Sequence, residues 1–320
     1  VANHGIHISD CDLADECGGG GGGAGGGSPA SIVVTFNGVS LDSVGYGSFD
    51  ADGLRVDERN TGNIVFNAWN SSFTNVGADG VELDEGQGGN VKANISNTVF
   101  NDNGGYCDPD QLEPFLPQPD EGEFNPGEFS EAEFEALISS IYESPDSRCL
   151  EVEVDYYPGE PRYVEAYEVS IDVDDGIDID EAGNGNIISM LTGVTIDRNL
   201  DEGADYDEED RGSIFASIVE SSGANNTDDA FKHSEAGPGG VVGKVYGATA
   251  ADNGGVGMVF EEEDQGSVKV SVVSSTTSGN DGGELGVEVV QEDQGDGILM
   301  IRNSDIKDGY EAEGVKVIEK

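Results

Sequence analysis

Apolar and polar residues alternate along this chain in short runs, and the most regular of them open on a glycine. The clearest copies are Gly53, Leu54, Arg55, Val56, Asp57, Glu58, then Gly80 to Glu85 and Gly176 to Glu181. Weaker copies start at Gly203, Ala230, Gly257, Gly286 and Gly314, with a step of 27 from Gly53 to Gly80 and again from Gly176 to Gly203. The apolar pairs Leu54/Val56, Val81/Leu83, Ile177/Ile179 and Val287/Val289 recur with period two, which predicts strands with one buried and one outward face. A second glycine follows nine places after the first, as at Gly62, Gly89, Gly185, Gly212 and Gly239, where a turn or a close backbone approach is expected.

A second alternating run comes next, seen in Ile64/Phe66, Val91/Ala93/Ile95 and Ile214/Ala216/Ile218. It ends at a small or polar residue (Asn70, Asn97, Gly193, Gly247, Ser274, Asn303), read as a second corner whose stacked amides bond along a column. A short third strand around Phe73, Phe100, Ile196 and Ile306 closes the cycle. A fixed period of this length predicts a solenoid, in which each coil buries its apolar face only against its neighbours.

Three strands and three corners in about 27 residues resemble the right-handed parallel β-helix, the architecture of pectate lyases and of many secreted adhesins. The resemblance spans nearly all of residues 1–320 but concerns the fold, not a catalytic motif. It implies an all-β chain, and the handedness comes from it alone.

The repeat also locates two departures. Counting 27 on from Gly80 and 27 back from Gly176 reaches Cys107 and Cys149, which frames residues 108–148 as a corner insertion, with Leu150/Val152 and Gly159 resuming a coil. Ser130 as N-cap and Glu133 at capping-box distance predict a helix over 130–144. Its Phe134, Leu137, Ile138 and Ile141 share one face and are expected to pack on the solenoid flank. Residues 11–30, with Cys11, Cys17 and a glycine run, read as a second insertion after a first rung at Gly5 to Asp10. Four cysteines allow three pairings; the register favours Cys107–Cys149, leaving Cys11–Cys17.

The net charge of −52, from 66 acidic and 14 basic residues, changes the functional picture. Such a field disfavours nucleic acid and anionic membrane as partners and calls for screening salt or bound cations. The sequence starts at Val1 without a leader, which reads as a mature exported chain, extracellular or at the cell surface.

The acids are periodic. Glu58, Glu85, Glu181 and Glu208 stand five places after a coil glycine, and Asp57, Asp84, Asp180 and Asp207 four places after it. Asp52, Asp79 and Asp175 stand just before it. Stacked about 4.8 Å apart, these carboxylates form columns of like charge that hard cations with oxygen ligands would relieve, so Ca2+ is the expected cofactor. No RTX nonapeptide or EF-hand loop accompanies them. Paired acids such as Asp174/Asp175 and Asp228/Asp229 carry little weight for glycoside hydrolysis in so acidic a chain, and no enzyme is predicted. His4 and His7 are weak metal candidates, and His233 reads as a core residue.

Both ends follow strand grammar: Gly5, Ile6 and Ile8 at the start, and Gly314 to Glu319, with Val315, Val317 and Ile318, as an unfinished last rung. Uncapped edges of this kind predict head-to-tail stacking of copies of the chain into a filament or surface layer. A monomeric adhesin that binds a glycan or cell surface is the alternative, and a polysaccharide lyase or hydrolase a more distant one.

Overall fold

The computed structural model describes residues 3–10, 27–47, 50–108, 112, 121–141, 149–157, 163–292 and 294–320. Residues 3–105 and 174–320 build one unit, a right-handed parallel β-helix whose walls are three parallel sheets. Sheet 1 stacks nine strands, among them Leu54–Glu58, Val81–Glu85, Ile177–Gly183 and Ala204–Asp210. Sheet 2 also has nine, including Ile64–Trp69, Val91–Ser96 and Ile187–Thr192, and sheet 3 has eight short ones, such as Ser72–Thr74 and Val99–Asn101. The register is the repeat made physical: Leu54 lies beside Val81, and Val81 beside Ile177.

Inward positions of all three sheets meet in one core. Leu54, Ile64, Phe73, Leu83, Ile177 and Phe260 are fully buried, and Phe73 stacks on Phe100 with centroids 5.0 Å apart. The second glycine of each coil is required by close approach. A Cβ on Gly89 would lie 1.4 Å from the carbonyl oxygen of Gly62, and one on Gly212 1.9 Å from that of Gly185. The corner between sheets 2 and 3 instead needs the left-handed conformation, with φ of 51° at Asn70, 46° at Asn97, 62° at Gly193 and 52° at Ser274. Asparagine and glycine tolerate that region best.

The stacked amides expected at this corner occur at the next one. Asn103, Asn199, Asn226, Asn253 and Asn280 are buried in a single file. Each Nδ2 donates to the Oδ1 of the next coil at 2.7–2.9 Å, and Asp308 accepts from Asn280 at 2.8 Å to end the file. Each amide thereby satisfies a group that would otherwise be orphaned in the core.

Two boundaries differ from the sequence reading. Val81–Glu85 pairs directly with Ile177–Glu181, so the departure between them is residues 106–173 rather than 108–148. Leu150–Tyr156 does not resume a coil; it pairs antiparallel with Val164–Ile171 in a three-stranded sheet with Glu121–Glu123. Alternating apolar residues specify a half-buried strand but not the sheet it joins. Likewise Val315–Glu319 belongs to sheet 2, beside Gly297–Arg302, while sheet 1 ends on Tyr310–Glu313 after a shortened coil. The resemblance of Gly314 to a coil-opening glycine is therefore coincidental.

Residues 106–173 form the second unit. The helix Glu131–Ile141 carries the expected capping box: the Ser130 hydroxyl lies 2.6 Å from Glu133 Oε2, which also accepts the Ser130 N–H at 3.0 Å. Its Phe134 and Leu137 pack with Leu150, Val164, Tyr167 and Val169 of the small sheet, so the helix has an apolar partner within this unit. Cys107 and Cys149 form a disulfide. Cys11, Cys17, Gly159 and most of the 11–30 segment lie outside the described residues.

Candidate functional site: three carboxylate columns

The acids that one hexapeptide pattern groups together separate into three environments. Glu58, Glu85, Glu181, Glu208, Glu235 and Glu262 share parity with Leu54 and Val56, so they point inward and are buried to within about 1 %. Gly62, Gly185 and Gly239 each donate their N–H to the Oε1 of the glutamate four residues earlier, all at 2.9 Å. The second oxygens of Glu85, Glu181 and Glu235 have no donor. Carboxyl oxygens meeting across a 4.8 Å rung can bond only through a shared proton. Burial, joined by the neighbouring glutamates, pushes Glu58, Glu85 and Glu235 up to about 7 and Glu208 to about 10. This column holds protons inside the wall.

Asp57, Asp84, Asp180 and Asp207 take the outward position of the same strands. Asp57 is held by Arg55 Nε at 3.1 Å and His7 Nε2 at 2.6 Å, and Asp84 pairs with Arg59. Asp180 and Asp207 lie among further acids, and burial together with that repulsion raises them to about 7 and about 8.

The third column, at the corner entering sheet 1, contains Asp52, Asp79 and Asp175, with Glu202 and Asp229 continuing it. Here a side chain receives the backbone of the next coil: Asp79 N–H donates to Asp52 Oδ1 at 3.3 Å, and Asp175 N–H to Asp79 Oδ1 at 2.5 Å. Asp229 accepts the Val256 N–H in the same way, which gives one member of the Asp228/Asp229 pair a structural partner.

Among the described residues, three groups of carboxylates have oxygens within 4.8 Å of one another. In the group Asp50, Asp52 and Glu82, the Arg55 guanidinium already stands at 3.0, 3.6 and 2.7 Å from the three side chains. Glu82 is shared with the second group, Asp178 and Asp180, and so brings the same guanidinium to it. The third group is Asp175, Asp201 and Glu202. Lys232 Nζ pairs with its Glu202 at 3.0 Å and also contacts Asp205 at 2.8 Å. Asp175 Oδ1 is buried without a hydrogen-bond partner, and burial with the adjacent Glu202 drives Asp201 up to about 9. Oxygen-only donors with an unsatisfied carboxylate fit a hard divalent cation such as Ca2+ better here than in the two groups that hold arginine.

Sequence reasoning named Asp175 but not Asp201 as a ligand, because Asp201 lies off the six-residue pattern. It also passed over Arg55 and Arg59 as partners of these acids. His4 bonds to Asp52 at 3.1 Å, and the rings of His4 and His7 lie 4.9 Å apart. His233 is a core residue as expected, buried and stacked on Phe260 at 4.6 Å. Gly5, Ile6 and Ile8 lie at one edge of sheet 1, whereas Val315, Val317 and Ile318 lie at the opposite end in sheet 2. Among the described residues, no helix is long and apolar enough to cross a membrane. Comparison with protein-family models, with curated proteins and with solved structures gave no match.

Proposed function

We propose that the chain is an exported structural protein whose solenoid ends stack on further copies, forming an extracellular filament or surface layer stabilised by Ca2+. The observation that carries this reading is where the core opens. Apolar residues of the inner coils are buried almost completely, yet the partly buried ones packed on that core are Ile6, Ile8, Ile32, Val39 and Leu41 in the first coil and Ile306, Ala312, Val315 and Val317 in the last. Another coil laid on either end would bury them and pair the edge strands. The disulfide suits an oxidising compartment.

Light scattering after size exclusion tests the proposal over a range of protein and Ca2+ concentrations. Growth of mass with concentration is expected, with Val317→Lys reducing it. A monomer under every condition overturns the reading. Calcium should raise the melting temperature of the wild-type chain, and Asp175→Asn should remove that rise.

A further inference from the structure

The three walls of the solenoid present three different chemistries. Outward positions of sheet 1 are dominated by acids, such as Asp178, Asp207, Glu261, Glu288 and Glu311. Those of sheet 3 are mostly small and hydroxylated: Ser72, Thr74, Thr195, Ser222, Thr249 and Thr276. Sheet 2 differs from both. Its outward positions contain no aspartate or glutamate in any of its nine strands, yet they carry Lys92, Lys244, Lys269, Arg302 and Lys316, five of the 14 bases in the chain.

In a chain with 66 acids this segregation is not expected of a merely solvated surface. The same wall also exposes large apolar side chains. Ile188, Met190, Phe215 and Tyr246 are 40–52 % exposed on three consecutive strands, with Ile188 directly beside Phe215. Lys92 flanks that pair, and Lys269 lies one strand beyond Val242 in the same row. Apolar centres ringed by charges of one sign mark interaction faces.

We infer that the outward wall of sheet 2 docks on the acidic outward wall of sheet 1 of a second copy, side by side. Charge complementarity selects this occupant. The chain itself supplies an acidic wall: Glu261, Glu288 and Glu311 stand on three successive sheet 1 strands, as Lys244, Lys269, Arg302 and Lys316 stand on four successive sheet 2 strands, about 4.8 Å apart. Any two copies also repel through their net charge of −52. That repulsion is screened beyond about 8 Å at physiological ionic strength, while ion pairs in contact are screened much less. The contact joins unlike faces, so it is heterologous and leaves a free basic wall and a free acidic wall on the product. It builds on the self-assembly reading, but adds lateral growth to end-to-end growth.

Sedimentation velocity from 0.05 to 1 M NaCl tests it, using the full chain and the triple variant Lys92→Glu/Lys244→Glu/Lys269→Glu. The wild type is expected to show an associated species at intermediate salt that disappears at 1 M. The triple variant should lose that species while keeping its β-sheet circular dichroism. A copy carrying Glu261→Lys/Glu288→Lys/Glu311→Lys should restore association when mixed with the triple variant. Unchanged sedimentation of the triple variant, or failure of the charge-swapped pair to associate, overturns lateral docking. If filaments persist in the triple variant and resist salt, lateral docking alone fails and end-to-end stacking stands. A wild-type monomer that binds a soluble polyuronate through these lysines assigns the wall to an acidic glycan and also overturns the second-copy contact.

Discussion

Gln291 stands in register with Glu262 on the adjoining sheet 1 strand and donates its Nε2–H to Glu262 Oε2. Six coils thus place a glutamate at this inward corner, and the seventh places an amide of the same shape. An amide can donate and accept without taking up a proton, so Gln291 does permanently what a protonated glutamate does conditionally. Glu208→Gln should therefore be tolerated and should stabilise the chain at pH 8. One pKa unit corresponds to about 1.4 kcal/mol, and Glu208 is raised to about 10 from 4.5; a gain on the order of 2 kcal/mol in denaturant unfolding is expected. A loss of stability at pH 8 would show that the column is not short of protons.

The same column fixes the sign of the pH dependence. Folded-state values of about 7 for Glu58, Glu85 and Glu235 lie above the unfolded value of 4.5, so the folded chain binds more protons than the unfolded one between these limits. Stability is then fully present below about 4.5 and declines as pH rises through 7, with Glu208 extending the decline towards 10. Asp207 and Asp229, both raised to about 8 by burial and nearby acids, act in the same direction. Chemical unfolding at fixed ionic strength, with chelator present, should give a higher midpoint at pH 5 than at pH 8. A midpoint that rises with pH over this window contradicts the proton-holding column.

The asparagine file makes a separate prediction. Asn226 Oδ1 accepts both the backbone N–H of Asn199, at 3.1 Å, and its Nδ2, at 2.9 Å. Asn226→Ala strands these two buried donors, and each costs about 1–3 kcal/mol. Asn70 adopts φ of 51° at the neighbouring corner, so Asn70→Gly should change stability by less than about 0.5 kcal/mol. Thermal melts of the two variants side by side check the contrast; equal effects would mean that the two corners are held alike.

What the sequence made legible follows from this contrast. Period-two alternation and fixed-offset glycines specify strands and close approaches, because both are local demands on a side chain or a Cβ. Whether Asn70 or Asn103 stacks is not local, since both positions are polar and follow an apolar strand. The inward direction of Glu58 follows from its parity with Leu54 and Val56, whereas its charge taken alone points to the surface. The antiparallel hairpin at 150–171 escaped because Leu150 and Val152 satisfy the coil pattern equally well. Asp201 escaped because a ligand group is assembled by corners of successive coils, not by spacing within one.

The last prediction concerns residues 106–173. Among the described residues their core is small, with Phe134, Leu150, Val164, Tyr167 and Val169 as its buried members. A unit of this size gains much from a covalent closure. Cys107–Cys149 spans 42 positions, for which loop-closure entropy gives roughly 4 kcal/mol at 25 °C. The solenoid draws its stability from a separate core, in which Leu83 and Ile177 pack on either side of the insertion point. Reduction, or Cys107→Ser/Cys149→Ser, should therefore expose 106–173 to limited proteolysis while the far-ultraviolet β-sheet signal remains. Hydrogen exchange should show faster exchange in Val164–Ile171 and unchanged protection in Ile187–Thr192. Equal loss of protection in both strands would mean that the two units unfold as one.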